Sequence, residues 1–248
     1  MKVEIAVQTH NFQRRLCWML ASLLQQDMPR GMSVSAAVAC MRGNGEPGTE
    51  AVAEVFNAAG LPVKLQLYDD LEVFQYRGLV RNRQAAETDA DWILFADSDM
   101  CYPVDFCRAM HKQLRGPFKD SPHCLHSQRY STELAPTEAL VDDTAAWAYP
   151  CVVPAACDRI AALPGKLKTN IGAGYMHLAN VALLRADHQG KYQLSARGRD
   201  RSWRKGQKAR SDIQFRRRLG ARAVPLPVQY HIQHRRDSEA GCHLEIQR

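Results

Sequence analysis

Residues 91–99 read DWILFADSD, an unbroken apolar run at 92–96 followed at once by Asp97 and Asp99. An apolar run without alternation is typical of a strand that is buried on both faces, as in parallel sheets covered by helices. In open sheets of that kind, ligands bind beyond the carboxyl ends of the strands, where these two carboxylates stand. The stretch therefore predicts a layered α/β fold with a ligand site at Asp97 and Asp99.

The chain before this run alternates between strand-like and helix-like patterns. Strands are predicted at residues 3–9, 34–40 and 63–68, and helices at residues 12–26, 49–59 and 79–87. Asn11 precedes the first helix and is expected to be its N-cap. Successive β-α units of this length predict an open, mostly parallel, doubly wound (Rossmann-like) sheet flanked by helices.

The pattern becomes less regular after Pro103. Residues 105–114 are expected to be helical and residues 116–122 to form a loop, whereas residues 121–161 show few clear periods. A glycine-containing turn, a short strand and a helix are expected within residues 170–184. A terminal strand is expected at residues 223–234, interrupted by Pro225 and Pro227.

Length and composition favour one compact body outside the membrane. The chain has 248 residues, of which 46% are hydrophobic, enough for a sizeable core. The N-terminal apolar run is too short for a signal peptide, and no run approaches the roughly 18 apolar residues that span a bilayer. We therefore expect a soluble, cytoplasmic protein without a membrane span.

The eight cysteines include no CxxC pair. In an intracellular chain this favours reduced, mostly buried thiols over a disulfide framework. Two groups of His and Cys, within residues 123–126 and 231–243, lack the paired spacing of a zinc finger. Structural zinc is therefore not expected.

Residues 81–86 (RNRQAA) and 91–99 together resemble the family 2 glycosyltransferases, which have the type-A glycosyltransferase fold. That family pairs an "ARN-x-G" helix with a following "YILFLDSDD" strand, and its opening "VSVIIPTYN" is similar to residues 3–11. The resemblance extends over about the first 110 residues. It implies a single domain in which residues 1–110 bind a nucleoside-diphosphate sugar, while residues 111–248 form the acceptor-binding and catalytic half.

The resemblance also implies roles for individual residues at the donor. It assigns Asp99 to a divalent cation, Mn or Mg, and Asp97 to that cation or the nucleotide ribose. It places Thr9 and Asn11 at the nucleotide, with Arg81 or Arg83 as candidates to assist the phosphates. Without this context, the tripeptide at 97–99 is equally compatible with a solvated turn that caps the next helix.

One departure from the family concerns the nucleotide base. The acidic "VDDGS" element that ends the second strand is replaced here by CMRGNG at residues 40–45, which leaves the identity of the base open. Asp69 and Asp70, after the third strand, are candidates for base or ribose contacts. The alternative is that they cap a loop.

Three C-terminal segments extend the resemblance. Residues 170–176 (NIGAGYM) resemble a glycine-rich segment that lines the sugar pocket, which implies roles for Gly172, Gly174 and Tyr175; the alternative is an ordinary tight turn. Residues 211–220 resemble the family's "EDxDFSLRLRRAG" helix and make Asp212 the general base, or else a helix N-terminal Asp.

Residues 230–234 (YHIQH) match the position from which many type-A enzymes supply a histidine to the metal. Strand alternation sends the two histidines to opposite faces, so only one is expected to be a ligand. We assign His234 to the metal and His231 to the core.

The excess positive charge lies in one segment, which begins at Arg197 and ends at Arg222. Residues 197–222 contain 11 Lys and Arg against two Asp, a net charge of +9, whereas the rest of the chain has 22 basic and 24 acidic residues. One interpretation is a solvated helix face, and another is a loop that closes over the diphosphate. A third is a nucleic-acid surface on which Trp203 stacks with bases.

Together these features predict a metal-dependent, inverting hexosyl- or pentosyltransferase, whose acceptor is polyanionic if the basic segment contacts it, for example a hydroxylated base in DNA. Two alternatives stay open. A non-enzymatic nucleic-acid-binding protein would not need Asp97, Asp99, Asp212 and His234 together. A nucleotidyltransferase usually opens with a glycine-rich phosphate loop, and residues 3–15 contain none.

Overall fold

The computed structural model describes residues 1–42, 48–70, 74, 77–125, 128–169, 176–188 and 222–234. Within these residues the chain forms a seven-stranded sheet and a four-stranded sheet. No helix among them combines the length and the apolar character needed to cross a membrane.

The first half contains the predicted alternation of strands and helices. Its elements are β1 (Lys2–Gln8), α1 (Gln13–Leu24), β2 (Ser33–Met41), α2 (Thr49–Ala58), β3 (Val63–Tyr68), α3 (Arg77–Glu87) and β4 (Trp92–Asp97). The four strands lie in the order β3-β2-β1-β4, and every neighbouring pair is parallel. The prediction of a parallel α/β core is confirmed.

The second half is built from shorter elements. They are β5 (Met100–Cys101), α4 (Phe106–Arg115), β6 (His123–Leu125), β7 (Gln128–Thr132), α5 (Leu134–Val141), α6 (Ala156–Ala161), β8 (Gly165–Thr169), β9 (Met176–Asn180), α7 (Val181–His188), β10 (Arg222–Ala223) and β11 (Gln229–His231). The predicted helix after Pro103, and the short strand and helix before residue 188, are confirmed. Residues 121–161 showed few periods because none of their elements exceeds eight residues.

The large sheet has the order β10-β6-β9-β4-β1-β2-β3. Strand β9 is antiparallel to both of its neighbours, β4 and β6, and the other pairs are parallel. The sheet is therefore mostly parallel, as predicted, with one reversed strand beside the buried β4.

The small sheet has the order β5-β11-β7-β8 and brings the C-terminal part of the described chain to the end of β4. Strand β11 is antiparallel to β5, with His231 opposite Met100. The expectation of one terminal strand at 223–234 is wrong, because β10 and β11 belong to different sheets. Pro225 and Pro227 lie between them, and proline cannot donate a backbone hydrogen bond to a strand ladder.

Strand β4 is buried on both faces, as its unbroken apolar run predicts. Trp92 and Leu94 belong to the main core with the helix α1, whereas Ile93 and Phe95 pack on the opposite face with residues of α3 and α7. Residues 92–96 are all less than 5% exposed. Helices on both faces thus hold in place the strand that ends at Asp97.

Asn11 does not cap α1. The N-cap position is Phe12, without a side-chain hydrogen bond, and Asn11 has a left-handed backbone with φ of 57°. Asparagine tolerates that conformation better than most residues, and here it turns the chain between β1 and α1. The seven cysteines in the described part of the chain are free, and all but Cys151 are buried, as expected.

Candidate metal and nucleotide site

The carboxyl ends of β1 and β4 lie side by side, because Gln8 is paired with Asp97 in the parallel ladder. Thr9 follows β1 directly, and its backbone N–H donates to the Ala39 carbonyl oxygen at 2.9 Å. The Thr9 hydroxyl is buried and has no hydrogen-bond partner among the described residues. Two of the predicted donor residues, Thr9 and Asp97, therefore lie at the edge where ligands of open α/β sheets bind.

Asp97 is the last residue of β4, and its carboxylate contacts two arginines of α3. Its Oδ1 atom lies 3.2 Å from Nη1 of Arg77 and 4.0 Å from Nη2 of Arg81. The Arg81 side chain is 4% exposed, and its guanidinium lies 5.7 Å from the Phe95 ring centroid. Buried cations of this kind are usually paired, and the positive charge at this edge would favour an anionic ligand.

Asp99 lies in a different environment, two residues further on. Its Oδ2 atom is 3.1 Å from Nε2 of His231 and 3.3 Å from Nε2 of His234. The backbone holds this arrangement, because the Ile232 N–H donates to the Asp99 carbonyl oxygen at 2.8 Å where β11 pairs with β5. We call Asp99, His231 and His234 the Asp99 cluster.

The Asp99 cluster is nearly enclosed by protein. The side chains of Asp99, His231 and His234 are 12%, 13% and 22% exposed. Burial by itself raises the pKa of Asp99, but the attraction and hydrogen bonds of His231 and His234 outweigh it and hold that pKa well below its usual range. The other carboxylate oxygen, Oδ1, is buried and has no hydrogen-bond partner among the described residues.

The geometry of the Asp99 cluster fits a divalent cation. Its ligand atoms all lie within 4.8 Å of one another. A cation about 2.1 Å from each ligand separates neighbouring ligand atoms by roughly 3.0 Å at a right angle and roughly 3.4 Å at a tetrahedral angle. The observed 3.1 and 3.3 Å fall between these values. Two imidazoles and a carboxylate are ligands that transition metals accept.

Two surrounding side chains hold the histidines in place. The edge of the Phe12 ring meets the ring of His234, with centroids 4.6 Å apart. Nδ1 of His231 lies 3.4 Å from Oγ of Ser131 on β7. Contacts to the second ring nitrogen fix which nitrogen is available as a ligand.

His231 was expected in the core, but its side chain is 13% exposed and its Nε2 atom lies 3.1 Å from Oδ2 of Asp99. Strand alternation was extended through residue 234, but β11 ends at His231, so the alternation does not apply to residues 232–234. Both histidines therefore reach the same carboxylate oxygen. The pairing of β5 with β11 brings both histidines close to Asp99, and this pairing could not be read from the sequence.

Arg77 is a second residue that the sequence reasoning did not select. It is closer to Asp97 than Arg81 is, and it lies one helical turn before Arg81 on α3. The i, i+4 spacing of two arginines on a helix before the DSD segment was the available signal.

Two other candidates lie away from the Asp97 carboxylate. Arg83 pairs with Glu87 at 2.7 Å, and its guanidinium lies 5.0 Å from the Tyr68 ring centroid. Asp69 follows β3 and pairs with Arg42 at 2.7 Å, with both side chains largely exposed. Asp69 therefore contributes to an exposed ion pair, and Arg83 supports the neighbouring strand β3.

Several predicted residues fall outside the described part of the chain. They are the general base Asp212 and the sugar-pocket residues Gly172, Gly174 and Tyr175. Of the basic segment at 197–222 the structure describes Arg222, which lies 4.8 Å over the Phe118 ring.

The fold can be compared with solved structures. The crystal structure of S. aureus TarS 1–349 in complex with UDP-GlcNAc is similar to this chain, with a TM-score of 0.62 and 15% sequence identity over 97% of this chain and 60% of that chain. The complex of TarS 1–349 with UDP is also similar, with a TM-score of 0.60 and 13% identity over 95% of this chain and 61% of that chain. The mannosyltransferase PcManGT from Pyrobaculum calidifontis, in complex with GDP-Man and Mn²⁺, is also similar, with a TM-score of 0.53 and 16% identity over 93% of this chain and 56% of that chain.

The chain has the type-A glycosyltransferase fold. It spans about 60% of the length of the TarS 1–349 chains that it matches. No protein-family profile and no curated protein sequence matches it. In the type-A fold of this chain, the Asp99 cluster and Asp97 occupy the carboxyl edge of the parallel strands, beside β1.

Proposed function

We propose that this chain is a metal-dependent glycosyltransferase that moves a sugar from a nucleoside-diphosphate sugar to an acceptor hydroxyl. The observation that carries the proposal is the Asp99 cluster, a buried carboxylate with two imidazoles at the carboxyl edge of a type-A fold. Similar structures hold UDP-GlcNAc, or GDP-Man with Mn²⁺. A site for a cation next to arginines suits a diphosphate.

The donor would occupy the edge formed by β1 and β4. Thr9, whose hydroxyl has no partner in the described part of the chain, and Asn11 would contact the nucleoside. Asp97 would accept a hydrogen bond from a ribose hydroxyl while Arg77 and Arg81 balance its charge. Asp69 is the candidate base contact, which requires its exposed pair with Arg42 to open.

Asp99, His231 and His234 would hold the cation, either Mn or Mg. When bound, the cation neutralises the diphosphate and makes it a better leaving group. Asp99 keeps its position through the hydrogen bond from Ile232 to its carbonyl oxygen. Phe12 and Ser131 restrict the two imidazoles, so little rearrangement is needed for binding.

The acceptor side of the proposal rests on the sequence. Asp212 would take the proton of the acceptor hydroxyl as it attacks the anomeric carbon, opposite the departing diphosphate. Attack from that side inverts the anomeric centre. Gly172, Gly174 and Tyr175 would line the sugar pocket, where glycines allow a close approach to the backbone.

The basic segment at 197–222 would contact a polyanionic acceptor, for which a hydroxylated base in DNA is one candidate. Such a base would have to leave the helix stack to reach the site. A gel shift with duplex and single-stranded DNA at rising salt tests this part. Binding that weakens steeply with salt supports it, and no binding at low salt removes DNA as the acceptor.

Donor binding is the first test of the proposal. The full chain is mixed with UDP- and GDP-sugars, with and without Mn²⁺, and both thermal unfolding and slow donor hydrolysis are followed. We expect one nucleotide-sugar to raise the unfolding temperature only with the metal, and its sugar to be released. Pyrophosphate release from a nucleoside triphosphate would instead indicate a nucleotidyltransferase. DNA binding without donor binding would indicate a non-enzymatic protein.

A further inference from the structure

The segment that leaves β11 carries both histidines of the Asp99 cluster. The strand ends at His231, and His234 lies three residues further on. The backbone groups of a segment that has left its sheet need other hydrogen-bond partners to hold their position. That position decides whether His234 reaches Asp99, which it does at 3.3 Å between Nε2 and Oδ2.

Thr132, the last residue of β7, binds the backbone of this segment with a single hydroxyl group. Its Oγ1 atom donates to the His231 carbonyl oxygen at 3.0 Å and accepts from the Gln233 N–H at 3.2 Å. These two bonds lie on either side of Ile232, whose own N–H donates to the Asp99 carbonyl oxygen at 2.8 Å. The segment is therefore held between β7 and the residue that its histidines must reach.

A second threonine completes the hydrogen bonds of this hydroxyl. Oγ1 of Thr137, on α5, donates to Oγ1 of Thr132 at 2.7 Å. A hydroxyl group has one hydrogen to donate, and its lone pairs accept two bonds. Thr137 and the Gln233 N–H use both lone pairs, so the hydrogen of Thr132 is directed to the His231 carbonyl oxygen. Thr132 is 4% exposed and Thr137 is 0% exposed, so water does not compete for these bonds.

The neighbouring strand β8 fixes the position of Thr132. Gly165, the first residue of β8, is paired with Thr132 in the antiparallel ladder. A Cβ atom at Gly165 would lie 2.8 Å from Cα of Thr132, whereas carbon atoms that are not bonded pack at about 3.5 to 4.0 Å. Glycine thus allows β8 to lie directly against Thr132, which leaves the end of β7 little room to move.

Ser131, the residue before Thr132, contacts the side chains of the same two residues. Its Oγ atom lies 3.4 Å from Nδ1 of His231 and donates to Oε1 of Gln233 at 3.2 Å. The end of β7 therefore holds His231 and Gln233 twice, through the backbone by Thr132 and through the side chains by Ser131.

We propose that Thr132 is a positioning residue of the Asp99 cluster, which directs His231 and His234 to Asp99 without touching the cation. Its hydroxyl fixes the backbone of residues 231–233, and that backbone sets where both imidazoles lie. Removal of a group that orients metal ligands typically lowers metal affinity by about 10- to 100-fold. The effect on metal binding rests on the proposed function, whereas the orientation of the two imidazoles does not.

Two substitutions of Thr132 test the proposal. Thr132→Val removes the hydroxyl and keeps a branched side chain, whereas Thr132→Ser keeps the hydroxyl. Mn²⁺ affinity is measured by electron paramagnetic resonance, and the pulsed form of the method counts the imidazole nitrogens coupled to the bound ion. We expect Thr132→Val to bind Mn²⁺ at least about tenfold more weakly and with fewer than the two imidazoles of the wild-type chain. Thr132→Ser should restore both properties.

Thr88→Val is the matched control. Thr88 is also 4% exposed, and its hydroxyl accepts from the Ala90 N–H at 3.2 Å, before the start of β4 and at the opposite end of that strand from Asp97. We expect both valine variants to lower the unfolding temperature, but Thr88→Val to keep the wild-type Mn²⁺ affinity and both imidazole couplings. This difference separates positioning from a general loss of stability.

Two results would overturn the inference. They are wild-type Mn²⁺ affinity with two coupled imidazoles in Thr132→Val, and an equal loss of Mn²⁺ affinity in Thr88→Val. If Thr132→Val does not fold, amide hydrogen exchange of Gln233 in the wild-type chain decides. Protection of that N–H supports its bond to Thr132, and exchange as fast as in an unstructured peptide rejects it.

Failure of the proposed function can be told apart from failure of the inference. A wild-type chain that binds no Mn²⁺ would reject the metal site and the function that depends on it. The imidazole signals of His231 and His234 in NMR spectra of the metal-free chain then test the positioning alone. It stands if Thr132→Val shifts both sets of signals and Thr88→Val shifts neither, and it is rejected otherwise.

Discussion

The Nε2 atom of His231 lies 3.1 Å from Oδ2 of Asp99, which connects the last described strand to the end of β4. His234 reaches the same oxygen at 3.3 Å. One carboxylate oxygen thus faces two imidazole nitrogens in a site of low exposure. Protein interiors rarely hold such a group without a further partner, and the Oδ1 atom of Asp99 still lacks one among the described residues.

The first prediction concerns the two histidines. Because both contact Asp99, His231→Asn and His234→Asn should each weaken Mn²⁺ binding by at least about tenfold, and Asp99→Asn should remove it. Free Mn²⁺ is measured by electron paramagnetic resonance during a titration. His111→Asn on α4 serves as the control. If His231→Asn binds Mn²⁺ as tightly as the wild-type chain, His231 is a core residue and not a metal ligand.

The second prediction concerns the choice of metal. Mg²⁺ prefers oxygen ligands, whereas imidazole nitrogens favour transition metals. Among the transition metals, Co²⁺ and Zn²⁺ bind such ligands more tightly than Mn²⁺ does. Mg²⁺ should therefore displace Mn²⁺ from the Asp99 cluster at least about tenfold less well than Co²⁺ does. His231→Asp should narrow that difference, because it exchanges a nitrogen for an oxygen. Equal competition by Mg²⁺ in the wild-type chain would contradict the assignment of both imidazoles.

The third prediction separates the roles of Asp97 and Asp99. The Asp97 carboxylate faces Arg77 and Arg81 rather than the histidines. Asp97→Asn should therefore keep Mn²⁺ binding while it weakens nucleoside-diphosphate binding by about tenfold, the effect of losing one charged hydrogen bond. Both affinities are measured on the same protein, with Asp120→Asn, an exposed surface residue, as the control. If Asp97→Asn loses Mn²⁺ affinity to the same extent, Asp97 is a metal ligand.

The sequence was sufficient to predict the parallel core, because long buried strands leave unbroken apolar runs. The run at 92–96 is the strongest case, and β4 is buried on both faces as that run requires. The position of Asp97 at the carboxyl edge followed directly. Such predictions need only local information, since the residue pattern within a strand indicates whether that strand is buried.

The convergence of both His231 and His234 on Asp99 depended on information that no local pattern carries. Strand β5 has two residues and β11 has three, which is too short for a periodicity to emerge. Their pairing joins residues far apart in the chain, and because β11 ends at His231, strand alternation does not determine the side on which His234 lies. The prediction that Asn11 caps α1 was also wrong, because the backbone of Asn11 is left-handed and the N-cap position falls to Phe12.

The fourth prediction tests the general base. If Asp212 takes the proton of the acceptor, Asp212→Asn should keep donor and Mn²⁺ binding but lower turnover by about 10²- to 10⁴-fold. Donor binding is followed by calorimetry, and turnover is followed with the acceptor or, before one is known, as donor hydrolysis. Asp200→Asn, the other acidic residue in the basic segment, is the matched control. An active Asp212→Asn enzyme would remove the assignment.

The fifth prediction concerns a buried carboxyl group outside the site. Burial raises the pKa of Glu4 on β1 above its ordinary value of 4.5, although a hydrogen bond with Thr88 and the charge of Lys64 oppose this. A carboxyl with a raised folded pKa contributes stability below about pH 4.5, and that contribution is lost as the pH rises through the folded pKa.

Glu4→Gln cannot ionise, so its stability relative to the wild-type chain should increase between pH 4 and pH 7. The free energy of unfolding is measured with urea at several pH values in that range. Glu54→Gln, on the exposed side of α2, is the control and should show no such increase. A Glu4→Gln difference that does not change with pH would mean that the folded chain stabilises the charged carboxylate at Glu4 as well as water does.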